Sequence, residues 1–118
     1  MSRGAGMLRE RVLCQMKGPA TDELGNPVPG GDVWATQFSA RAGFQPRNGG
    51  EAVIAGRLQG VQPYIVTVRQ SSQTRRITTG WRLVDARNEK RIFNVRSVAD
   101  PDGKRQWLEM LVEHGVAT

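Results

Sequence analysis

Glycine and proline punctuate this chain so densely that long regular elements have no room to form. Fourteen Gly and six Pro stand among 118 residues. They gather in Lys17–Asp32 and Ala42–Gly50, two stretches that read as long loops because Gly supplies positive-φ positions and Pro removes ladder donors. Between and after the loops lie short runs in which apolar and polar residues alternate, the period of a half-buried strand. Val12, Cys14 and Met16 alternate from Leu8 onward. Val33–Arg41 follows, with Trp34, Thr36, Phe38 and Ala40 on one face, predicted to be core. Tyr64–Arg69 is rich in β-branched residues. Trp81–Val84 and Arg91–Val98 are joined by a turn at Asp85–Asn88, the second run placing Phe93 and Val95 on one face and Ile92 and Val98 on the other.

Asp100–Gly103 is the strongest turn signal in the chain and leads into Arg105–Glu113. There Trp107, Leu108, Leu111 and Val112 can share a helical stripe, while Leu108, Met110 and Val112 alternate. A tight turn after a strand makes an antiparallel return the simpler topology, so we read this run as a strand. Glu51–Leu58 reads as one short helix, with Glu51 in its first turn where the helix dipole favours an acid. The resulting fold class is all-β and mainly antiparallel: a small β-barrel or sandwich of about six or seven strands, with one short helix and long Gly/Pro-rich loops. The length allows one domain. Residues 1–7 read as a flexible N-terminus, 8–114 as the domain and 115–118 as a tail.

Apolar residues make up 38% and charged residues 24%, enough for a folded domain with a thin core. No run approaches the ~20 apolar residues of a membrane span, and the amino terminus lacks the order of a signal peptide, so neither a membrane nor export is expected. The single cysteine, Cys14, and the single histidine, His114, leave almost no material for a zinc site or a nucleophile–histidine pair. Cys14 reads as a small buried hydrophobe and His114 as part of a frayed end. The close carboxylate pairs Asp22/Glu23 and Asp100/Asp102 sit in turns, where Asp bonds backbone amides. Neither Gly30–Gly31 nor Gly49–Gly50 has the helix and Lys of a phosphate loop. An enzyme is not expected, nor a metal or cofactor.

The net charge is +6, and its distribution matters more than its size. Residues 1–64 hold seven Lys/Arg against five Asp/Glu, 65–105 hold ten against four, and 106–118 carry only Glu109 and Glu113. The excess lies in the third quarter, at predicted strand ends. Arg75, Arg76, Arg87, Lys90 and Arg91 are therefore candidates for contact with nucleic-acid phosphates, which needs charge but no base recognition. Solvated loop arginines, or partners for acids of a neighbouring subunit, are the competing explanation.

The ordered series of short motifs resembles a known family. It comprises Leu8–Val12 (LRERV) with Gln15, Asp22–Asn26 (DELGN) before Trp34, Phe38–Arg41 (FSAR), Glu51–Ala52, Val66–Arg69 (VTVR), Ile77, Arg91–Val95 (RIFNV) and Asp102–Leu111 (DGKRQWLEML). Their order and spacing, over nearly the whole chain, are similar to those of the tailed-phage head–tail joining proteins, also called head–tail adaptor, head-closure or stopper proteins, which gene transfer agents share. Gly80–Trp81 and the Gly/Pro-rich Pro27–Gly31 depart from the family pattern.

The resemblance implies a virion protein of the neck or connector. Its subunits would form a sixfold or twelvefold ring that joins the DNA-filled head to the tail. The implied partners are further copies of itself, the portal-adaptor ring, the tail terminator or tail tube, and packaged double-stranded DNA bound without sequence preference. In such a ring Arg75, Arg76, Arg87, Lys90 and Arg91 would approach the lumen. The loops at Leu24, Gly25, Asn26 and Pro27, and at Phe44, Gln45, Pro46 and Arg47, would dock onto adjacent rings. A tail-terminator ring and a monomeric basic β-barrel that binds nucleic acid are the alternatives.

Overall fold

The computed structural model describes residues 8–47, 60–101 and 103–115. They form six antiparallel strands: β1 (Glu10–Thr21), β2 (Pro27–Pro46), β3 (Gln62–Arg69), β4 (Arg82–Asp85), β5 (Asn88–Ala99) and β6 (Trp107–His114). The order β1-β2-β3-β6-β5-β4 closes on itself through the pairing of β4 with β1. Closure removes the exposed edges that an open sheet of this size would carry. The final run is a strand, as its turn signal required, and the one helical element among the described residues is a 3-10 turn at Thr74–Arg76. The short helix expected at Glu51–Leu58 lies outside the described residues.

Alternating side chains fill the barrel. Val12, Cys14, Val66, Val68, Leu83, Phe93, Met110 and Val112 are fully buried. Phe93 stands at the centre of an aromatic group, 4.8 Å from Phe44 and 5.5 Å from Tyr64 between ring centroids. The β3–β4 connection brings Ile77 and Trp81 into the core at its end of the barrel. Trp81 lies 5.8 Å from Phe38. This connection is held by Thr74, whose Oγ1 donates to the Arg69 carbonyl at 2.7 Å and accepts from the Ser71 amide at 2.8 Å.

Two β-bulges change the expected faces. Cys14 pairs with Phe38 but Gln15 pairs with Thr36, so Gln37 is an extra residue in β2. An extra residue flips the alternation, and Trp34 and Thr36 point outward while Phe38, Ala40 and Ala42 point in. The expectation of one continuous core face from Trp34 to Ala40 is therefore corrected. The same shift between Val95 and Ser97 in β5 turns Val98 inward, opposite Met110, away from the face it was expected to share with Ile92.

Both long loops are corrected too. Ala42–Pro46 continues β2 and pairs with Val68–Tyr64 of β3, with Ala42 fully buried. Long-range pairing overrides the local turn signal there. Lys17–Asp32 is a hairpin in which Lys17 pairs with Trp34, Gly18 with Val33, Pro19 with Asp32 and Thr21 with Pro27. Its prolines are tolerated because a two-stranded ribbon has no third strand that needs their missing donors. His114 closes β6 rather than fraying: its Nδ1 lies 3.0 Å from the Ile92 carbonyl and its ring packs on Phe93.

Candidate assembly interface

The β1–β2 hairpin runs on past the barrel as an arm and ends in a turn ordered by one carboxylate. Asp22 Oδ1 accepts the amides of Leu24 and Asn26, both at 2.9 Å, and Gly25 adopts φ +82°. This is the Asx geometry that makes Asp-x-x-Gly a turn, and it accounts for Asp22 without catalysis. Asp100 serves in the same way, accepting from Gly103 N and Arg105 N.

The large hydrophobic residues left exposed among the described residues all belong to the arm: Met16, Leu24, Val28 and Val33, with Leu24 85% exposed. Their placement follows from register. Met16 opposes Ala35 and Gly18 opposes Val33, continuing the interior face of Val12 and Cys14 beyond the barrel, where Met16 and Val33 are exposed. Scattered apolar residues are ordinary on a surface, and four on one projecting element make the arm the candidate contact site.

The base of the arm is braced on its outer face. Arg82 Nε donates to Gln15 Oε1 at 2.6 Å, and Gln15 Nε2 donates to Thr36 Oγ1 at 3.0 Å. The Arg82 guanidinium lies 4.5 Å from the Trp34 ring centroid, and Lys17 Nζ approaches the same ring at 6.0 Å. Burial pulls the Arg82 pKa downward, yet an arginine stays charged throughout the physiological range. Sequence reasoning missed this brace because it placed Trp34 in the core. The bulge at Gln37, which no local motif announces, moved it outside.

The candidate basic residues divide into two groups. Arg75 and Arg76 form the 3-10 turn before β4, whereas Arg87, Lys90 and Arg91 belong to the β4–β5 hairpin after it. Along the chain β4 stands between the two groups. Arg91 is committed to buried Asp85, with Nη1 2.9 Å from Oδ2, and stacks over Phe93 at 5.3 Å. Arg87 and Lys90 are exposed. Of the expected docking residues, Leu24, Gly25, Asn26 and Pro27 are at the arm tip. Phe44 is half-buried against Tyr64 and Phe93, while Gln45, Pro46 and Arg47 lie exposed at the far end of β2.

The closed barrel with its projecting arm can be compared with known families. The sequence profile of the phage head completion proteins matches residues 3–115. The chain belongs to that family. Membership gives this head completion protein a structural role in the head–tail region of a phage or phage-like virion. Two solved structures share the fold. A chain of the virion of a native gene transfer agent particle aligns with TM-score 0.61 and 19% identity, covering 93% of this chain and 97% of that one. A Shigella flexneri 2a protein solved in solution aligns with TM-score 0.64 and 21% identity, covering 98% and 100%. No curated protein matches.

Proposed function

We propose that this head completion protein forms a ring at the portal vertex that joins the filled head to the tail and helps retain the packaged DNA. The observation that carries the reading is the arm, which carries the exposed large apolar side chains found among the described residues. Closed rings are built from heterologous contacts, in which one surface of each copy meets a different surface of the next. A barrel with a protruding arm supplies two such unlike surfaces. Gln45, Pro46 and Arg47, at the other end of β2, are suited to contact an adjacent ring. In this reading the exposed Arg87 and Lys90 touch DNA phosphates weakly and without sequence preference.

The test is to mix the purified protein with purified tailless particles and count bound copies relative to portal subunits. Stoichiometric binding at the portal vertex is the expected result. Absence of binding, with salt-sensitive affinity of the monomer for free DNA, would replace the reading with that of a nucleic-acid-binding barrel.

A further inference from the structure

A recess of about 260 Å³ opens on the barrel wall, lined by Leu8, Ala40, Arg41, Arg69, Gln73 and Thr74 among others. It falls below the roughly 300–1,000 Å³ of small-molecule sites and has the scale of a side chain. Its chemistry is apolar at Leu8 and Ala40 and cationic at Arg41 and Arg69, with Arg75 and Arg76 following directly in the 3-10 turn. Among the described residues no carboxylate lines it. Arg69 lies over the Trp107 ring at 5.1 Å, a stacking that leaves the edge of a guanidinium able to hold a carboxylate.

The arm has the opposite character. Asp22, Glu23 and Asp32 outnumber Lys17 along it, in a chain whose net charge is +6. At its tip Leu24 stands almost fully exposed beside Glu23. An acidic arm carrying an unpaired aliphatic side chain thus complements a basic recess with an aliphatic floor on the same molecule. The arm cannot reach its own recess, because Pro27 to Ser39 in β2 spans roughly 40 Å of extended chain.

We infer that the arm tip of one copy seats in this recess on the next copy, Leu24 entering beside Leu8 and Ala40 and Glu23 facing Arg41 and Arg69. The contact is head-to-tail, the kind that propagates around a ring. Its apolar part supplies the burial, and the charges fix register, since exposed ion pairs add little strength. The inference rests on the ring reading above and names the partner surface that the arm uses within it.

The test is the double variant Leu24→Cys/Ser39→Cys, oxidised after mixing with purified tailless particles. Disulfide formation needs Cα atoms within about 7 Å, so a bond between these positions can form only between copies, and Cys14 is buried. The expected result is a ladder of cross-linked multimers on a non-reducing gel that collapses with reductant, while each single variant gives dimers at most. Multiple copies bound at the portal vertex with no ladder would overturn the arm–recess contact and leave the ring standing. No binding to particles at all would overturn both. Charge exchange gives an independent check: Glu23→Arg is expected to reduce particle-bound copies at least tenfold, with recovery when Arg41→Glu is added. Failure of that rescue beside an intact Glu23→Arg defect would remove Arg41 from the contact.

Discussion

Cys14 shows how a residue's environment becomes a measurable property of the fold. Burial pushes its thiol from an ordinary value of 9.0 up to about 12, because the core cannot solvate a thiolate. Below pH 9 the thiol is protonated in both folded and unfolded chains, and its contribution to stability is constant. Between pH 9 and 12 the unfolded chain loses the proton while the folded chain keeps it. Stability therefore falls as pH rises, by up to about 1.4 kcal/mol per pH unit from this group. Denaturant midpoints for wild type and Cys14→Ala at pH 8.0 and about pH 10.5 will show the wild type losing more on alkalinisation, and parallel curves would contradict it. Gly115 makes a second case. It sits at φ +98°, and a Cβ there would lie 2.1 Å from the Gly60 carbonyl oxygen. Gly115→Ala is expected to destabilise by about 2 kcal/mol or more, through backbone strain and displacement of the chain before β3. A midpoint equal to wild type would show that this end relaxes freely. The burial of Cys14 was legible from alternation alone. The role of Gly115 was not, since the clash depends on a residue 55 positions away.

At the scale of elements, alternation located the strands but not their lengths. Arg91–Val98 and Arg105–Glu113 emerged close to β5 and β6 because each is bounded by a turn with its own chemistry. β2 grew to 20 residues because ladder partners in β1 and β3 outweigh local glycines and prolines. The bulges at Gln37 and Arg96 lay beyond reach because a bulge is decided by both strands together. The arm was legible as a long breaker-rich segment, and hidden as a hairpin. Its independence from the core yields a direct prediction. Replacing Pro19–Asp32 by a two-residue turn joins Gly18 to Val33, which already face each other across the ladder. The shortened protein is expected to keep its denaturant midpoint to within about 0.5 kcal/mol, as surface changes do, and to fail to join heads to tails. Normal numbers of joined particles by electron microscopy would remove the arm from assembly.

For the whole molecule, the distribution of charge bears on the proposed contact with DNA. The acidic arm and basic barrel make the subunit a dipole, so net charge describes it poorly. The third-quarter excess pointed to a single rim of arginines, and within that set Asp85 takes Arg91 into a structural pair. Composition could not show this, because pairing depends on which loops the barrel brings together. Arg87 and Lys90 remain exposed on the β4–β5 hairpin. If these two hold packaged DNA, each phosphate contact releases counterion and steepens the salt dependence by about 0.9 in the logarithm of affinity per logarithm of salt. Particles assembled with Arg87→Ala/Lys90→Ala should then release DNA at lower salt than wild type, with unchanged copy number at the vertex. Release can be followed as nuclease-accessible DNA across a salt series. Coincident release curves would place the hairpin away from the DNA, and a fall in bound copies would assign it instead to contacts between subunits.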